Sequence, residues 1–427
     1  MSDSFKNIKN FTIYSNYSGE ISLTGKGSFT HLTLYQSLLD DSVRGHFTMA
    51  DTGYRTNGGK NTTSVEEDTD IKLTTGERVK LVLNDNRNNE IDIELSIENV
   101  NYSSSSTMTE MFSISLCSND FIKMQYNKSS PNKHFEGKIH EIVKKVLTNH
   151  LETEQNIHVH PTLNTLPING YNNDNPLDFC TALAPKSIPE DYPDYSGYFF
   201  YNTIEGYHFK SIDKLFMQPE KRKMIYNETT KLPSSYTNKI IKATFHHNMN
   251  VSNILQTASL TKSKIETFDP FTNEYVQNEW DSNETYGDNN AANEKPKVAS
   301  HLDAENEATK IINQIYNTGV LPPGSNLEKQ LQFSREPTFD LNEIVRKSIA
   351  RYNQAFLYRA EIVIPGDFGI YPGDIVRCHF PEISSKDLNK EVSRKKSGKY
   401  LVCDVSHFIS AEHCYTRLNI VRDSIME

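Results

Sequence analysis

At 427 residues the chain is too long for one ordinary domain, and two to four are expected. Its formal net charge of −10 argues against a nucleic-acid grip, which needs basic stripes to displace counterions from phosphates. Hydrophobic residues make up only 36% of the chain, but 22 Tyr and 21 Phe exclude a disordered polymer and point to several small domains with large surfaces.

The chain to about residue 119 reads as β. Short runs at Phe11–Tyr14, Ile21–Leu23, Leu32–Tyr35 and His46–Met49 are broken by Gly, Asn or Asp. Val79–Leu83, Ile91–Ile97 and Met111–Leu116 then alternate apolar and polar, as strands with one buried face do. Many short strands between turn residues indicate an antiparallel sandwich or barrel. Around residue 134 the period changes: Ile139, Ile142, Val143, Val146 and Leu147 lie on one face of an amphipathic helix. A second short helix is expected over Leu177 to Ala184. Gly197–Tyr201 and Tyr207–Lys210 flank a Glu205-Gly206 turn, which suggests a hairpin.

Ile240 to Phe245 reads as another strand, and 263–335 turns polar and loop-rich. A helical stretch follows at Leu341, Ile344, Val345, Ile349 and Tyr352. After Arg359 the tail is β again, with strands at Ile362–Ile364, Ile375–Phe380, Tyr400–Cys403 and Thr416–Val421. The domains expected are thus a β-barrel over 1–119, a mixed α+β unit over 120–235, a second β-barrel built from 236–262 and 341–427, and a polar loop-rich insertion over 263–340.

The two ends share a pattern. Thr75-Gly76-Glu77-Arg78-Val79-Lys80-Leu81 starts one strand, and Pro372-Gly373-Asp374-Ile375-Val376-Arg377-Cys378 starts another. Each continues as strand, polar turn and strand, ending near Asp120 and Asp423. Gly76, Glu77, Val79 and Gly373, Asp374, Val376 therefore mark a duplicated barrel, one copy whole and one interrupted. In this alignment Ile97-Glu98-Asn99-Val100-Asn101 is the counterpart of Cys403-Asp404-Val405-Ser406-His407.

Signals of chemistry are weak. Five cysteines, at 117, 180, 378, 403 and 414, form no CxxC and read as reduced, buried thiols of a chain folded in a cytoplasm. The N-terminus shows no apolar signal region, and no run is long enough to span a bilayer. Cys378, Cys403 and Cys414 follow the apolar faces of their strands while His379 faces away with Arg377, so four zinc ligands do not converge. His158 and His160 share a strand face, but two ligands are not a site. Asp281, Asn283 and Thr285 imitate the start of a calcium loop that Tyr286 and Ala292 then break. Gly19 to Gly25-Lys26 and Gly53 to Gly59-Lys60 have the wrong spacing for a phosphate loop and read as turns. The runs Lys221-Arg222-Lys223 and Arg394-Lys395-Lys396 read as solvated loops. No cofactor or metal is expected, and no catalytic constellation stands out. A glycosidase pair among the plentiful acids stays open, so a wall or glycan hydrolase using middle-unit acids such as Glu205 is the alternative reading. A carbohydrate-binding module is a third.

Five segments in this order resemble the central baseplate hub proteins of contractile-tailed bacteriophages of the T-even type. They are HLTLYQSLLDDSVRGHFTMADTG, GYFFYNTIEGYHFKSIDKL, ASLTKSKIETFDPFTNEYV, AEIVIPGDFGIYPGDIVRCHFPEI and GKYLVCDVSHFISAEHCYTRLNIVRDS. The resemblance implies a mainly β chain with α+β insertions, two similar antiparallel barrels per subunit, and a homotrimeric ring that imitates sixfold symmetry. It implies a structural role without catalysis, joining a sixfold tail tube to a threefold spike around a lumen for DNA. The partners implied are the tail tube protein, baseplate wedge proteins and a separate, lysozyme-like spike protein. The last is expected because the sequence stops four residues after Asp423, with no oligosaccharide-binding barrel or β-helical needle. The place implied is the virion baseplate, assembled in the host cytoplasm.

Overall fold

The computed structural model describes residues 7–24, 29–51, 72–85, 87–106, 109–126, 134–135, 137–164, 168–169, 175–226, 238–247, 262–269, 273–281, 310–315, 341–382, 392–410 and 413–424. The first seven strands are β1 (Ile8–Ser15), β2 (Gly19–Ser22), β3 (Phe29–Ser37), β4 (Arg44–Asp51), β5 (Arg78–Asn84), β6 (Glu90–Ser106) and β7 (Thr109–Ser118). They pair antiparallel in the order β2-β1-β5-β6-β7-β4-β3. Strict alternation explains the buried face: Val79, Leu81 and Leu83 point inward from β5 while the residues between them do not. Phe11 lies at the centre of this core, edge-on to Phe29 and Phe47 at 5.4 and 4.9 Å between ring centroids.

The middle unit contains α1 (Asn119–Tyr126), β8 (His134–Phe135), α2 (Ile139–Asn149), β9 (Ile157–Val159), β10 (Ile168–Asn169), α3 (Pro176–Leu183), β11 (Tyr198–Thr203), β12 (Gly206–Ser211) and α4 (Ile212–Met217). All five apolar residues expected on one face of α2 are buried, packed with Leu177, Cys180 and Leu183 of α3 and with aromatic residues of the β11–β12 hairpin. The hairpin turn requires glycine. Gly206 has φ +128°, and a Cβ there would lie 2.2 Å from the Asn156 carbonyl oxygen.

The remaining strands are β13 (Glu220–Tyr226), β14 (Lys239–Ile240), β15 (Lys242–His247), β16 (Lys262–Asp269), β17 (Glu274–Asp281), β18 (Lys310–Ile315), β19 (Tyr358–Pro365), β20 (Ile375–His379), β21 (Gly398–Ser410) and β22 (Cys414–Arg422), with helix α5 (Leu341–Ala355) before β19. Strands β13-β20-β21-β22-β19-β15 follow one another around a second core. The ring closes through 239–241: β14 pairs with β13, and the Ile241 N–H donates to the Val363 carbonyl at 2.7 Å.

Four expectations are corrected. The stretch expected to be loop-rich holds a three-stranded sheet, β17-β16-β18, turned at Asn273 with φ +56°. The backbone ladders identify these strands, β16 pairing antiparallel with β17 and parallel with β18. Strand β13, placed by sequence in the middle unit, pairs parallel with β20 and puts Met224 into the second core. Helix α5, assigned to the second barrel, packs on the middle unit, where Tyr352 meets Phe199 edge-on at 5.3 Å. Finally, the two β units share a single 14-stranded sheet, because β3 pairs with β21. Among the described residues, no helix is long and apolar enough to cross a membrane.

Candidate functional site: the junction of the two β units

Strand order repeats within the sheet. The sequence β3-β4-β7-β6-β5 matches β15-β19-β22-β21-β20, with each neighbouring pair antiparallel in both. The turns before β5 and β20 have the same geometry. Gly76 and Gly373 have φ of +86° and +92°, which glycine adopts without strain. The Gly76 N–H donates to the Ile97 carbonyl at 2.7 Å, and Ile97 N–H returns a bond to the Glu77 carbonyl at 2.8 Å. Gly373 donates to Val402 at 2.8 Å, and Val402 returns to Asp374 at 2.9 Å. Val79 lies opposite Leu95, and Val376 opposite Tyr400.

The acidic residues anchor these turns. Buried Glu77 accepts from the Asn16 N–H at 2.8 Å, the Thr74 hydroxyl at 3.0 Å and the Ser15 hydroxyl at 3.1 Å. Asp374 accepts from the Tyr371 N–H and pairs with Lys221, both at 2.8 Å. The copies differ at the adjacent strand, since β1 runs antiparallel to β5 while β13 runs parallel to β20.

A β-bulge falls at Glu98 between β6 and β7 and at Cys403 between β21 and β22. Cys403 therefore matches Glu98, one position from the sequence alignment that set it against Ile97. Both faces of β21 are buried over Tyr400–Val405, so apolar alternation there carries no register.

The two units meet along β3 and β21, paired from Asp404 opposite Ser37 to Ser410 opposite His31. Asp404 fastens the ladder. It accepts from the Ser37 hydroxyl at 2.5 Å, the Tyr35 hydroxyl at 3.2 Å and the Asn419 amide at 2.8 Å. Burial, with the Asp404 charge added, pushes the Tyr35 phenol up to about 12. Phe368, Ile409 and Cys414 cross the junction into the first core. A second clasp lies at Asp367, whose fully buried carboxylate meets Arg87 at 3.2 Å and Arg222 at 3.1 Å. Beside it the Phe368 N–H donates to Asp85 at 2.8 Å. Arg222 and Lys221 thus belong to ion pairs on β13, not to the solvated loop expected of their basic run; Arg394-Lys395-Lys396 does form a turn. With a seven-residue ladder, a shared core and a buried ionic clasp, the angle between the two units is fixed.

A third buried ionic group holds the middle unit to the chain's end. Arg351 of α5 donates at 2.8 Å both to Asp213 of α4 and to Asp423 beyond β22. Burial pushes the Asp213 carboxyl up, with Arg351 opposing it. Sequence reasoning missed Asp404, Asp367 and Arg351 as joints. The one available signal was a charged residue within an apolar run, as Asp404 stands between Cys403 and Val405.

The other sequence candidates have structural settings. All five cysteines are buried, and burial pushes the Cys378 and Cys414 thiols up to about 12. Among the described residues no three His, Cys, Asp or Glu converge as a metal site would require. His158 stacks on His208 at 4.9 Å, which in turn stacks on Tyr201 at 4.8 Å. Burial lowers His208 to about 2 and His160 to about 4. Glu205 is exposed at the hairpin tip. Other middle-unit acids are engaged: Asp191 with Lys214 at 2.6 Å, Glu190 with Lys138 at 3.4 Å, and Asp120 with Thr153 and Gln155 at 2.5 and 3.0 Å. Gly25, Lys26, Gly53, Gly59, Lys60, Asn283, Thr285, Tyr286 and Ala292 lie outside the described residues.

No protein-family model matches this chain, and no curated protein matches it. Solved structures do. The 43 kDa tail protein of prophage MuSo2 from Shewanella oneidensis matches with a TM-score of 0.53 and 10% identity, over 97% of this chain and 98% of its own. A tail protein from Neisseria meningitidis MC58 matches with a TM-score of 0.51 and 9% identity, over 98% and 97%. At these identities what is shared is the fold, and it is shared over nearly the whole length of each chain.

Proposed function

We propose that this chain is a structural subunit of a phage-type contractile tail: the baseplate hub, a homotrimeric ring between a sixfold tube and a threefold spike. The observation that carries this reading is the repeated five-strand order, rigidly joined by the β3–β21 ladder. Three such chains offer six near-equivalent β units to a sixfold partner, and three copies of everything else to a threefold one. The likeness to two tail proteins agrees with it.

The sheet face turned away from the cores is the lumen wall in this reading. Asn101, Ser115, His46, Thr33, Ser406 and Asn419 lie on it on adjoining strands, with the exposed rings of Phe408 and Tyr415 at the junction itself. Such a wall, in a chain of net charge −10, gives passing DNA no cationic stripe to hold. The tail tube protein, wedge proteins and a separate spike protein are the partners, and the virion baseplate is the location. Catalysis has no part in this role, and in the middle unit Asp120, Glu190, Asp191 and Asp213 serve hydrogen bonds and ion pairs instead.

Light scattering and imaging of the purified chain test the proposal. A trimer with threefold symmetry and six similar lobes is expected, and a stable monomer with no ring at any concentration refutes it. A cell-wall zymogram should stay blank; clearing that Glu205→Gln abolishes would favour the hydrolase.

A further inference from the structure

Among the described residues the internal junction leaves two strand edges unpaired, and they are the counterparts of the two edges that form it. One edge of β21 is divided: Gly398–Leu401 pairs with β20, and Asp404–Ser410 pairs with β3. Strand β6 is built alike. Its first half, Glu90–Ser96, pairs with β5, while among the described residues no strand pairs with the same edge from Asn99 to Ser104. The bulges at Glu98 and Cys403 align these halves, placing Asn99 with Asp404 and Tyr102 with His407. Strand β15 is likewise the counterpart of β3. It has β19 on one edge and, among the described residues, nothing along Lys242–His247 on the other. The ladders to β4 and β19 set Phe245 level with Leu34.

Side-chain exposure points the same way. His407 is 0% exposed, packed edge-on against Phe368 at 4.8 Å on the part of β21 that β3 flanks. Tyr102 holds the matching place on the core side of β6, opposite buried Phe112, and yet is 73% exposed. A large aromatic on a core-facing position beside a bare strand edge is what a missing neighbouring strand leaves behind.

We infer that the β15 edge of one copy pairs antiparallel with the Asn99–Ser104 edge of a second copy, in the register carried over from the internal junction. Leu34 lies opposite His407 inside the chain, so Phe245 lies opposite Tyr102 of the neighbouring copy. Thr244 then lies opposite Ser103, and His246 opposite Asn101. The contact is head-to-tail, and repeated around an axis it closes into a ring in which internal and external junctions alternate. The inference rests on the ring proposed above and specifies the edges and register that build it.

Cysteine pairs test it. Tyr102→Cys with Phe245→Cys and, separately, Asn101→Cys with His246→Cys occupy adjacent rungs, so one of the two sits at the closer, non-hydrogen-bonded position. All four sites are at least partly accessible, and the native cysteines are buried. Under mild oxidation, non-reducing gels should show covalent dimer and trimer for at least one pair. The displaced pair Asn101→Cys with Thr244→Cys should yield at least about tenfold less. If scattering shows a trimer but neither in-register pair exceeds the displaced one, the edge pairing is wrong and the ring stands. If the unoxidised chain is monomeric at every concentration, both are wrong.

Discussion

Replacing each of the two matched turn glycines by alanine separates what the turns share from what they do not. Gly76 and Gly373 have nearly the same positive φ, so an added Cβ costs each about 1–2 kcal/mol of backbone strain. Around Gly76, among the described residues and apart from its chain neighbours, no atom lies within 4 Å of that Cβ, and the strain is the whole effect. At Gly373 the Cβ would lie 2.4 Å from the Tyr201 hydroxyl oxygen, which adds an overpacking cost of about 1–3 kcal/mol. Among the described residues that buried hydroxyl has no hydrogen-bond partner, so Tyr201→Phe alone should be close to neutral. It would leave the ring carbon 3.3 Å from the new Cβ, tight but tolerable. Gly373→Ala should therefore destabilise more than Gly76→Ala, and Tyr201→Phe should recover most of the excess. Urea denaturation followed by circular dichroism, with hydrogen exchange on peptides of β20 and β21, measures both the size and the place of the change. The double-mutant cycle should give a coupling of at least about 1 kcal/mol for Gly373 with Tyr201 and none for Gly76 with Tyr201. Equal losses from the two glycine substitutions, or no rescue by Tyr201→Phe, would refute the reasoning.

Arg351→Met removes the buried guanidinium that Asp213 and Asp423 share, and should cost about 3–5 kcal/mol in thermal unfolding, whereas breaking an exposed pair such as Lys214 with Asp191 should cost less than about 1. Acid should destabilise the fold through its buried neutral histidines. His208 and His407 are lowered to about 2 and about 4 from 6.5, so below pH 6.5 the unfolded chain binds more protons than the native one. Stability then falls as pH falls, by up to about 1.4 kcal/mol per pH unit for each. Asp41 opposes this, since burial and its Asp40 neighbour push its carboxyl up to about 6 and it favours the native state as pH drops toward 4. Melting temperatures from pH 7 to 4.5 should decline, and His407→Asn should flatten the slope; a rising profile would contradict the burial of these rings. An aromatic disulfide reagent should react with the five cysteines slowly in the native chain and with all five in denaturant, and fast native labelling would show that the thiols are not core residues.

What the sequence by itself determined is local and one-sided. The spacing of Ile139, Ile142, Val143, Val146 and Leu147 identifies α2 and its buried face, because a helix brings every third and fourth residue to one side. Alternation does the same for β5, and a Gly-acid step before a strand makes the turns at Gly76 and Gly373 stand out. Where one face is not clearly apolar the signal fails, as in β16 to β18, or at Cys403, where both faces are buried and the register slips by one. Tertiary structure alone decided what covers each face. That β13 runs beside β20, that Arg351 reaches two aspartates, and that Ser37 pairs with Asp404 367 positions away all depend on which edges remain open once the local elements form. Periodicity records that a side chain is buried and not by what. The junction that fixes the angle between the two β units, and with it any ring, is therefore legible only in the folded chain.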